Sequence, residues 1–372
     1  MFSRIAVIGL GLIGGSVAAA ARRAWPDLAV VGVDAVEAVC RRAVELGVAT
    51  ETHVADAARE DLSDALSGVE LVVLATPVAE ALRWLDRLHE AGYRGIVTDV
   101  CSTKSAIVAK AAALRPVYAF IGGHPMAGSE RSGIDAANPE LFDGAYYVLT
   151  PTADTDAGAF RRVHEFVTGI GARPISIPAD VHDEAVALIS HVPHVAAAAL
   201  VALVAEQPAG EDALRLAAGG FKDMTRIAAG SPDLWTGICA ENADRIVDGL
   251  GRLQDVIARF KDALARRDAG EVRSLLAAAA EVRRSLPARW VPASAALFEL
   301  SIPMRDRPGA ISEITTLVGR AGCNIEDIEI DHVSEDSAVL RLVLTDEGDR
   351  DALVESLQRS GHAPTLRRLE DA

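Results

Sequence analysis

Near the N-terminus, residues 4–16 read RIAVIGLGLIGGS, a short apolar run that ends in a cluster of glycines. The apolar part, residues 4–9, predicts a buried β-strand, and the alanine-rich segment that follows predicts a helix. Between strand and helix the glycines have the spacing G-x-G-x-x-G, at Gly9, Gly11 and Gly14. The first glycine permits a tight turn, the second lets a phosphate approach the backbone, and the third lets helix and strand pack closely. This stretch therefore predicts an α/β fold of the Rossmann type that binds a dinucleotide.

A second apolar run, residues 28–33, predicts the next strand and is followed by an acidic residue, Asp34. Asp34 comes about 25 residues after Gly9, where a carboxylate would bond the ribose hydroxyls. A carboxylate there also repels a 2′-phosphate, so we expect NAD as the cofactor. Arg41 and Arg42 follow soon after and keep NADP open as an alternative. The expected cofactor contacts are Gly9, Gly11, Leu12, Ile13, Gly14, Asp34, Thr76 and Pro77.

Further apolar runs alternate with helical segments through the first half of the chain. They lie at residues 71–77, 95–100 and 118–121, with extensions at 146–149 and 174–177. Strands that alternate with helices predict a doubly wound parallel sheet, here in a domain of residues 1–178. Ligands of such sheets bind at the carboxyl ends of the strands, which is where Thr76, Ser102 and His124 fall.

The rest of the chain divides into two parts. Residues 179–290 have almost no strand pattern and predict an all-helical domain, whose very apolar helices we expect to form a homodimer. Within it, residues 185–205 are apolar enough for a membrane span, but His191 and His194 would be costly in lipid, so we expect no membrane contact. Residues 287–292 predict a linker. Residues 296–372 have the order βαββαβ, which predicts a ferredoxin-like module.

Composition restricts the kind of partner and the compartment. The 372 residues fit two or three domains, and the net charge of −16 argues against nucleic acid and anionic membranes. Four cysteines without a CxxC pair give no metal signature and fit a reducing compartment. The chain begins directly with a strand, which predicts no signal peptide. We therefore expect a cytoplasmic protein without a metal.

A histidine between glycines follows the predicted strand at residues 118–121, in residues 122–130, which read GGHPMAGSE. The imidazole of His124 can accept a proton near neutral pH, and the glycines let backbone and ligand approach closely. With the dinucleotide turn upstream, this suggests a base that takes a hydroxyl proton while a hydride leaves for a nicotinamide. The alternative is ordinary structure, with His124 hydrogen-bonded at a turn and Glu130 a solvated loop acid.

Three other segments place polar groups in apolar surroundings, namely DVCSTK at 99–104, SHVPH at 190–194 and GFKDMTRIA at 220–228. Each has a structural explanation of its own. Ser102 could cap the next helix. His191 and His194 could make hydrogen bonds within a helical core. Arg226 could pair with Asp223 three residues earlier. Their combination with a cofactor fold favours a shared site.

In combination with GLGLIGGS at 9–16, these motifs resemble the prephenate/arogenate dehydrogenase family over roughly residues 4–290. The resemblance implies NAD-dependent oxidative decarboxylation of prephenate to 4-hydroxyphenylpyruvate in tyrosine biosynthesis, with arogenate as the alternative substrate. It implies that His124 is the base, that Ser102 orients its imidazole, and that Arg226 binds a substrate carboxylate. It also implies substrate contacts for His194, Ser129, Glu130 and Asp223.

Residues 297–372, with DRPG at 306–309, resemble an ACT regulatory domain. The turn there starts a helix, whose N-terminus favours a carboxylate, so we expect an amino-acid effector, with tyrosine as the leading candidate. The expected contacts are Asp306, Pro308, Gly309 and Asn324. The alternative is a module that only adds dimer surface.

Two other functions remain open from the residues alone. A β-hydroxyacid dehydrogenase would also join a dinucleotide fold to helices, with Lys222 as proton relay, but would leave GGHPMAGSE unexplained. A non-catalytic sensor would bind NAD and an amino acid, but would not need His124, Ser102 and Arg226.

Overall fold

The computed structural model describes residues 1–55, 63–129, 131–285, 297–305, 307, 310–323, 325–334, 337–344 and 348–369. It forms two compact units, Met1–Val256 and Ile257–Ala372, called here the first and second unit. Residues 179–256 belong to the same compact unit as the dinucleotide-type sheet, and the predicted linker at 287–292 lies outside the described residues. The division into domains 1–178, 179–290 and 296–372 stays a prediction.

The described part of the first unit contains an eight-stranded sheet in the order β3-β2-β1-β4-β5-β6-β7-β8. Its strands are β1 (Arg4–Ile8), β2 (Ala29–Asp34), β3 (Glu51–Val54), β4 (Leu71–Leu74), β5 (Ile96–Asp99), β6 (Ala119–Pro125), β7 (Tyr146–Thr150) and β8 (Arg173–Ser176). The sequence predicted all of these except β3, whose polar residues ETHV are only partly buried.

Helices cover both faces of this sheet, because neighbouring residues of a strand point to opposite sides. Ile5 and Val7 pack into one hydrophobic cluster, and Ala6 and Ile8 into the other. The helices of the sheet region are α1 (Leu12–Ala24), α2 (Glu37–Glu45), α3 (Ser63–Leu66), α4 (Val78–Glu90), α5 (Ser105–Leu114) and α6 (Ala157–Gly169). α1, α2 and α6 supply residues to the first cluster, and α3, α4 and α5 to the second.

The sheet is mixed rather than wholly parallel. Pairings among β1 to β6 are parallel, but β7 runs antiparallel to β6, and β8 is parallel to β7. Parallel neighbours need a long crossover connection, usually a helix. Among the described residues between β6 and β7, the regular structure is one 3-10 helix, Ile134–Ala136, so the chain returns in the opposite direction.

The remainder of the first unit is helical in its described residues, as predicted. It contains α7 (Ala179–Val186), a π-helix (Ala187–His191), α8 (Val192–Ala205), α9 (Gly210–Arg215), α10 (Gly219–Thr225), a 3-10 helix (Arg226–Ala229), α11 (Pro232–Glu241) and α12 (Ala243–Ala265), which continues into the second unit. By length and composition, the stretch Ala179–Ala205 could cross a membrane, and 33% of its most apolar window is buried in this chain. The expected absence of membrane contact stays a prediction.

The second unit contains a four-stranded antiparallel sheet in the order β10-β11-β9-β12. Its further elements are α13 (Ala269–Ser285), β9 (Leu297–Arg305), α14 (Ala310–Arg320), β10 (Ile325–Ser334), β11 (Ser337–Leu344), α15 (Arg350–Arg359) and β12 (Thr365–Leu369). The order and connections confirm the predicted ferredoxin-like module. The predicted effector contacts Asp306, Pro308, Gly309 and Asn324 lie outside the described residues.

Candidate functional site

The glycine turn after β1 is shaped by close backbone contacts. Gly9 has a φ of +93°, and a Cβ there would lie 2.6 Å from the carbonyl oxygen of Ala75. A Cβ on Gly14 would lie 1.9 Å from the carbonyl oxygen of Gly9. A Cβ on Gly11, by contrast, would meet nothing within 4 Å. Gly9 and Gly14 are therefore needed for packing, whereas Gly11 opens onto free space in which a phosphate fits.

A cavity of about 560 Å³ lies against this turn. Five of the predicted cofactor contacts line it, namely Gly9, Gly11, Asp34, Thr76 and Pro77. The buried hydroxyl of Thr76 has no hydrogen-bond partner among the described residues. The other predicted contacts, Leu12, Ile13 and Gly14, form the first turn of α1, whose N-cap residue has no side chain to cap the free amides. Free amides at a helix N-terminus are suited to a pyrophosphate, so the residues present fit a dinucleotide.

Asp34 is held at the edge of the cavity by two backbone amides. Its Oδ2 accepts a hydrogen bond from the amide of Leu10 at 2.9 Å, and its Oδ1 accepts one from Val36 at 2.9 Å. The two nearby arginines are paired with carboxylates, Arg41 with Glu37 and Arg42 with Asp135 and Glu45. This arrangement favours ribose hydroxyls over a 2′-phosphate.

A buried ion pair fixes the strand end that carries His124. Asp99 and Lys104 have fully buried side chains that pair with each other. The Asp99 Oδ1 accepts a hydrogen bond from the amide of Gly123 at 3.0 Å, and the Lys104 Nζ donates one to the Gly123 carbonyl at 2.6 Å. Both polar backbone groups next to His124 are thus held by one ion pair. A Cβ on Gly123 would lie 2.6 Å from the Asp99 carbonyl oxygen, so this close approach requires glycine.

The imidazole of His124 has a histidine as its partner. Its Nδ1 lies 2.8 Å from Nε2 of His182, and Nδ1 of His182 lies 2.8 Å from Oδ1 of Asp183. The Asp183 carboxylate also accepts hydrogen bonds from the amides of Lys104 and Ser105, each at 2.7 Å. Asp183 therefore caps the first turn of α5 and holds His182 at the same time.

The surroundings keep His124 neutral and Asp183 ionised. Burial lowers the pKa of His124 well below its usual value, and the positive charge of Lys104 lowers it further. Burial raises the pKa of Asp183, but the hydrogen bonds from His182, Ser105 and the Lys104 amide outweigh burial and bring the pKa to about 2. At neutral pH the site thus holds a base that is free to accept a proton.

The π-helix rotates His182 and His194 onto the same side of the helix axis. His194 follows His182 by twelve residues. In an uninterrupted α-helix they would lie about 120° apart around the axis, and one extra residue in a π-turn reduces this to about 20°. Both side chains are buried, and His191 at the end of the π-helix is buried as well. The phase shift therefore places His182 and His194 on one face.

His191 and His194 have different surroundings. The Nδ1 of His191 lies 3.2 Å from Nδ2 of Asn242, which also donates to the Asp183 carbonyl at 2.8 Å. Burial lowers the pKa of His191 to about 4. The ring of His194 stacks on Trp235 with 3.5 Å between centroids, and its buried Nδ1 has no hydrogen-bond partner among the described residues. His191 thus belongs to the core, as the structural alternative predicted, and the substrate contact implied for His194 stays a prediction.

Ser102 follows β5 in a bend and is half-buried. Within the described chain, the hydrogen-bond partner of the His124 ring is His182, and no hydrogen bond joins Ser102 to His124. The role implied for Ser102 stays a prediction. Sequence patterns alone did not predict roles for His182, Asp183, Asp99 and Lys104. The adjacent His-Asp pair upstream of SHVPH was the available signal, since a charged pair in an apolar helix needs a partner.

Arg226 is exposed on the 3-10 helix that follows α10. No ion pair joins it to Asp223 in the described structure, so its guanidinium is free for a ligand. Gly230 ends this segment, and a Cβ there would lie 3.2 Å from Cε1 of His194, which places the segment beside that histidine. The Ser129 hydroxyl accepts a hydrogen bond from the Arg131 amide at 3.1 Å, and Glu130 lies outside the described residues.

We expect Lys104→Met to lower the free energy of unfolding by about 3–5 kcal/mol, because it leaves the Asp99 carboxylate buried without its cation. Adding Asp99→Asn should recover part of the loss. The matched control is Lys110→Met on α5, the helix that Lys104 precedes. It removes a half-exposed ion pair with Asp86 and should cost less than about 1 kcal/mol. Urea unfolding of the variants measures this, and equal losses for the two lysine variants would contradict it.

Three family models match this chain in consecutive segments. The family described as "Prephenate dehydrogenase, nucleotide-binding domain" matches residues 17–176. "Prephenate dehydrogenase, dimerization domain" matches residues 178–278. "ACT domain" matches residues 298–362. The first two models together cover more than half of the chain.

Individual relatives agree with these matches. Prephenate dehydrogenase of Bacillus subtilis is 35% identical over 94% of this chain and 94% of its own length. Cyclohexadienyl dehydrogenase of Zymomonas mobilis is 34% identical over 72% of this chain and 90% of its own. The crystal structure of the Aquifex aeolicus prephenate dehydrogenase with hydroxyphenyl propionate and NAD+ is similar at a TM-score of 0.71 and 26% identity, covering 77% of this chain and 99% of that one. On these matches, this chain belongs to the prephenate dehydrogenase family.

Proposed function

We propose that this protein is an NAD-dependent prephenate dehydrogenase that converts prephenate to 4-hydroxyphenylpyruvate in tyrosine biosynthesis. The observation that carries the proposal is a neutral histidine, His124, at the end of β6. This strand lies two positions from β4, which together with β1 and β2 ends at the dinucleotide cavity. The thiol of Cys101, after β5, contacts the Thr76 carbonyl at 3.7 Å, so the segment beside His124 reaches the cavity lining. The four cysteines are unpaired, which supports a cytoplasmic location.

The residues of this chain divide the work of the reaction. When bound, NAD accepts a hydride from C4 of the substrate ring. His124 accepts the proton of the 4-hydroxyl group on Nε2, since Nδ1 is engaged with His182. The glycine turn and the first turn of α1 hold the cofactor phosphates, and Asp34 holds the ribose. Loss of carbon dioxide makes the ring aromatic and drives the reaction forward.

A dianionic substrate needs a local cation in a protein with a net charge of −16. We assign this role to Arg226, whose planar guanidinium suits two carboxylate oxygens. We assign to His194 a contact with the side chain of the substrate. Ser129, Glu130 and Asp223 complete the proposed substrate site.

Arogenate is the second candidate substrate, because it retains the same ring and ring carboxylate. One similar structure, 32% identical with a TM-score of 0.65 over 76% of this chain and 100% of that one, is the arogenate dehydrogenase of Synechocystis. The assignment of Arg226 to a substrate carboxylate applies to both substrates.

We also propose a homodimer. Large apolar side chains of the helical region are exposed in the single chain, among them Ile189, Leu203 and Val247. In the second unit, Leu264 and Leu276 line an apolar groove of about 720 Å³. Surfaces of this kind are rarely left in water by soluble proteins, and a second copy of the chain would cover them.

We expect the purified protein to form NADH with prephenate, faster than with arogenate, and His124→Asn to lower kcat by about 10²–10⁴-fold. NAD affinity should not change. The lowered pKa of His124 keeps the base neutral down to low pH, so kcat/KM should stay level through pH 6.5 and fall only below it. Steady-state kinetics across pH measure both effects.

His164→Asn, an exposed histidine on α6, is the control and should behave as the wild type. Full turnover in His124→Asn would remove this residue from the mechanism. If the wild type forms NADH with neither prephenate nor arogenate, this result would contradict the proposed function.

We expect Arg226→Gln to raise KM for the substrate about 10-fold to 100-fold with little change in NAD affinity. The reason is the loss of a charge-assisted hydrogen bond worth about 1.5–3 kcal/mol. Lys222→Gln is the matched control, because it removes an exposed positive charge from α10, the helix directly before Arg226. An equal effect of both variants would point to general electrostatic attraction instead of a specific contact.

We propose tyrosine as an effector that binds the ACT domain, and expect calorimetry on the full chain to detect it even when NAD and 4-hydroxyphenylpyruvate occupy the active site. The occupied site matters because tyrosine resembles the aromatic product and can compete there. Binding that disappears under these conditions would assign tyrosine to the active site and leave the ACT domain an architectural role.

A further inference from the structure

His182 and Asp183 form a buried pair behind the proposed base. Their side chains are 1% and 2% exposed, so neither contacts bulk water. The ring of His182 contacts both other groups: its Nε2 lies 2.8 Å from Nδ1 of His124, and its Nδ1 lies 2.8 Å from Oδ1 of Asp183. The rings of His124 and His182 are nearly perpendicular, at 80°, with centroids 5.0 Å apart. The three groups make a continuous hydrogen-bonded chain from the carboxylate to the base.

The proton positions in this chain follow from what each atom can do. An ionised carboxylate only accepts hydrogen bonds, so the contact with Asp183 requires a proton on Nδ1 of His182. A neutral His182 then has its lone pair on Nε2, which must accept the proton of His124 Nδ1. This leaves Nε2 of His124 without a proton. No described residue bonds that nitrogen.

We propose that His182 and Asp183 are positioning residues that hold His124 in the tautomer whose Nε2 carries the lone pair, and that they stabilise the positive charge His124 gains when it takes a proton. The proposal rests on the proposed function for the identity of the proton donor. The tautomer itself depends only on the three residues.

The need for a carboxylate follows from the charges around His124. The titratable groups that act on it are Lys104, His182, His191 and Asp183, and of these only Asp183 favours the protonated ring. A protonated His124 beside Lys104 would therefore be strongly disfavoured without compensation. Through His182, the positive charge can spread toward Asp183: the Nδ1 proton of His124 moves toward His182 Nε2, while Asp183 remains ionised.

Asp183 is a poor site for the decisive substitution because it also caps α5. It accepts the amide hydrogen bonds of Lys104 and Ser105, and no side chain within α5 or at its N-cap replaces them. An Asp183 variant could unfold this helix end whether or not the proposal holds. His182 has no such second hydrogen-bonding role among the described residues, so the test uses His182.

The kinetic test compares two variants of similar volume. His182→Leu removes the acceptor for His124 Nδ1, and we expect kcat to fall about 10²-fold, within the range of general-base effects, with KM for substrate and NAD unchanged. His182→Gln can place a side-chain oxygen near the former Nε2 and should recover at least a tenth of wild-type kcat. His89→Gln, a partly buried histidine on α4, is the control and should retain wild-type kcat.

The tautomer is read directly from the ¹⁵N NMR spectrum of histidine-labelled protein, with His124→Asn to assign the signals. In the wild type, Nε2 of His124 should have the shift of an unprotonated nitrogen and Nδ1 that of a protonated one. In His182→Leu both shifts should move toward averaged values. A purely structural role of His182 would leave the His124 shifts unchanged.

A proton on Nε2 of His124 in the wild type, or wild-type kcat in His182→Leu, would overturn the proposal. If His182→Leu fails to fold, the wild-type spectrum and the kcat of His182→Gln still test the proposal. A protonated Nε2 of His124 in the wild type would count against the proposal. So would a His182→Gln variant that is no more active than His124→Asn. A wild type that is inactive with prephenate and arogenate but shows the expected tautomer would reject the proposed function and retain the tautomer assignment.

Discussion

The buried ion pair of Asp99 and Lys104 is the interaction on which the rest of the site depends. Two buried charges are tolerated only when their remaining hydrogen-bond donors and acceptors are satisfied. Here the Gly123 amide donates a hydrogen bond to Asp99, and the Gly123 carbonyl accepts one from Lys104. The end of β5, the end of β6 and the start of α5 are thereby fixed to one another. His124 follows Gly123 directly, so the backbone of the base is set before any ligand binds.

A second carboxylate, Asp183, joins the helical region to the sheet by similar means. It accepts two amides at the start of α5 and one ring nitrogen of His182. The sheet therefore sets the backbone position of His124, and the helical region sets the hydrogen bond of its ring. The two carboxylates act differently, because Asp99 neutralises a lysine that disfavours protonation of His124, whereas Asp183 favours it.

Much of the fold was predictable because its signals are local. The glycine spacing, the apolar strands and the βαββαβ order each occupy a short stretch of chain, and each was found in the structure. The prediction of a fully parallel sheet was wrong for β7 and β8, whose direction depends on how the chain returns after β6. The cofactor cavity was likewise predictable in outline, since most of its lining follows directly from strand ends.

The sequence by itself determined most of the elements, the dinucleotide turn and the residue types of the site, because these depend on neighbours within one helix or strand. Only the tertiary structure decided the partner of His124, which lies 58 residues away, and the caps of α5, which come from 78 and 79 residues away. Sequence periodicity carries no information about such pairs. The full burial of Lys104 is similarly decided by packing, since a lysine after a strand is usually solvated and here the Asp99 carboxylate and the Gly123 carbonyl replace the water around its ammonium group.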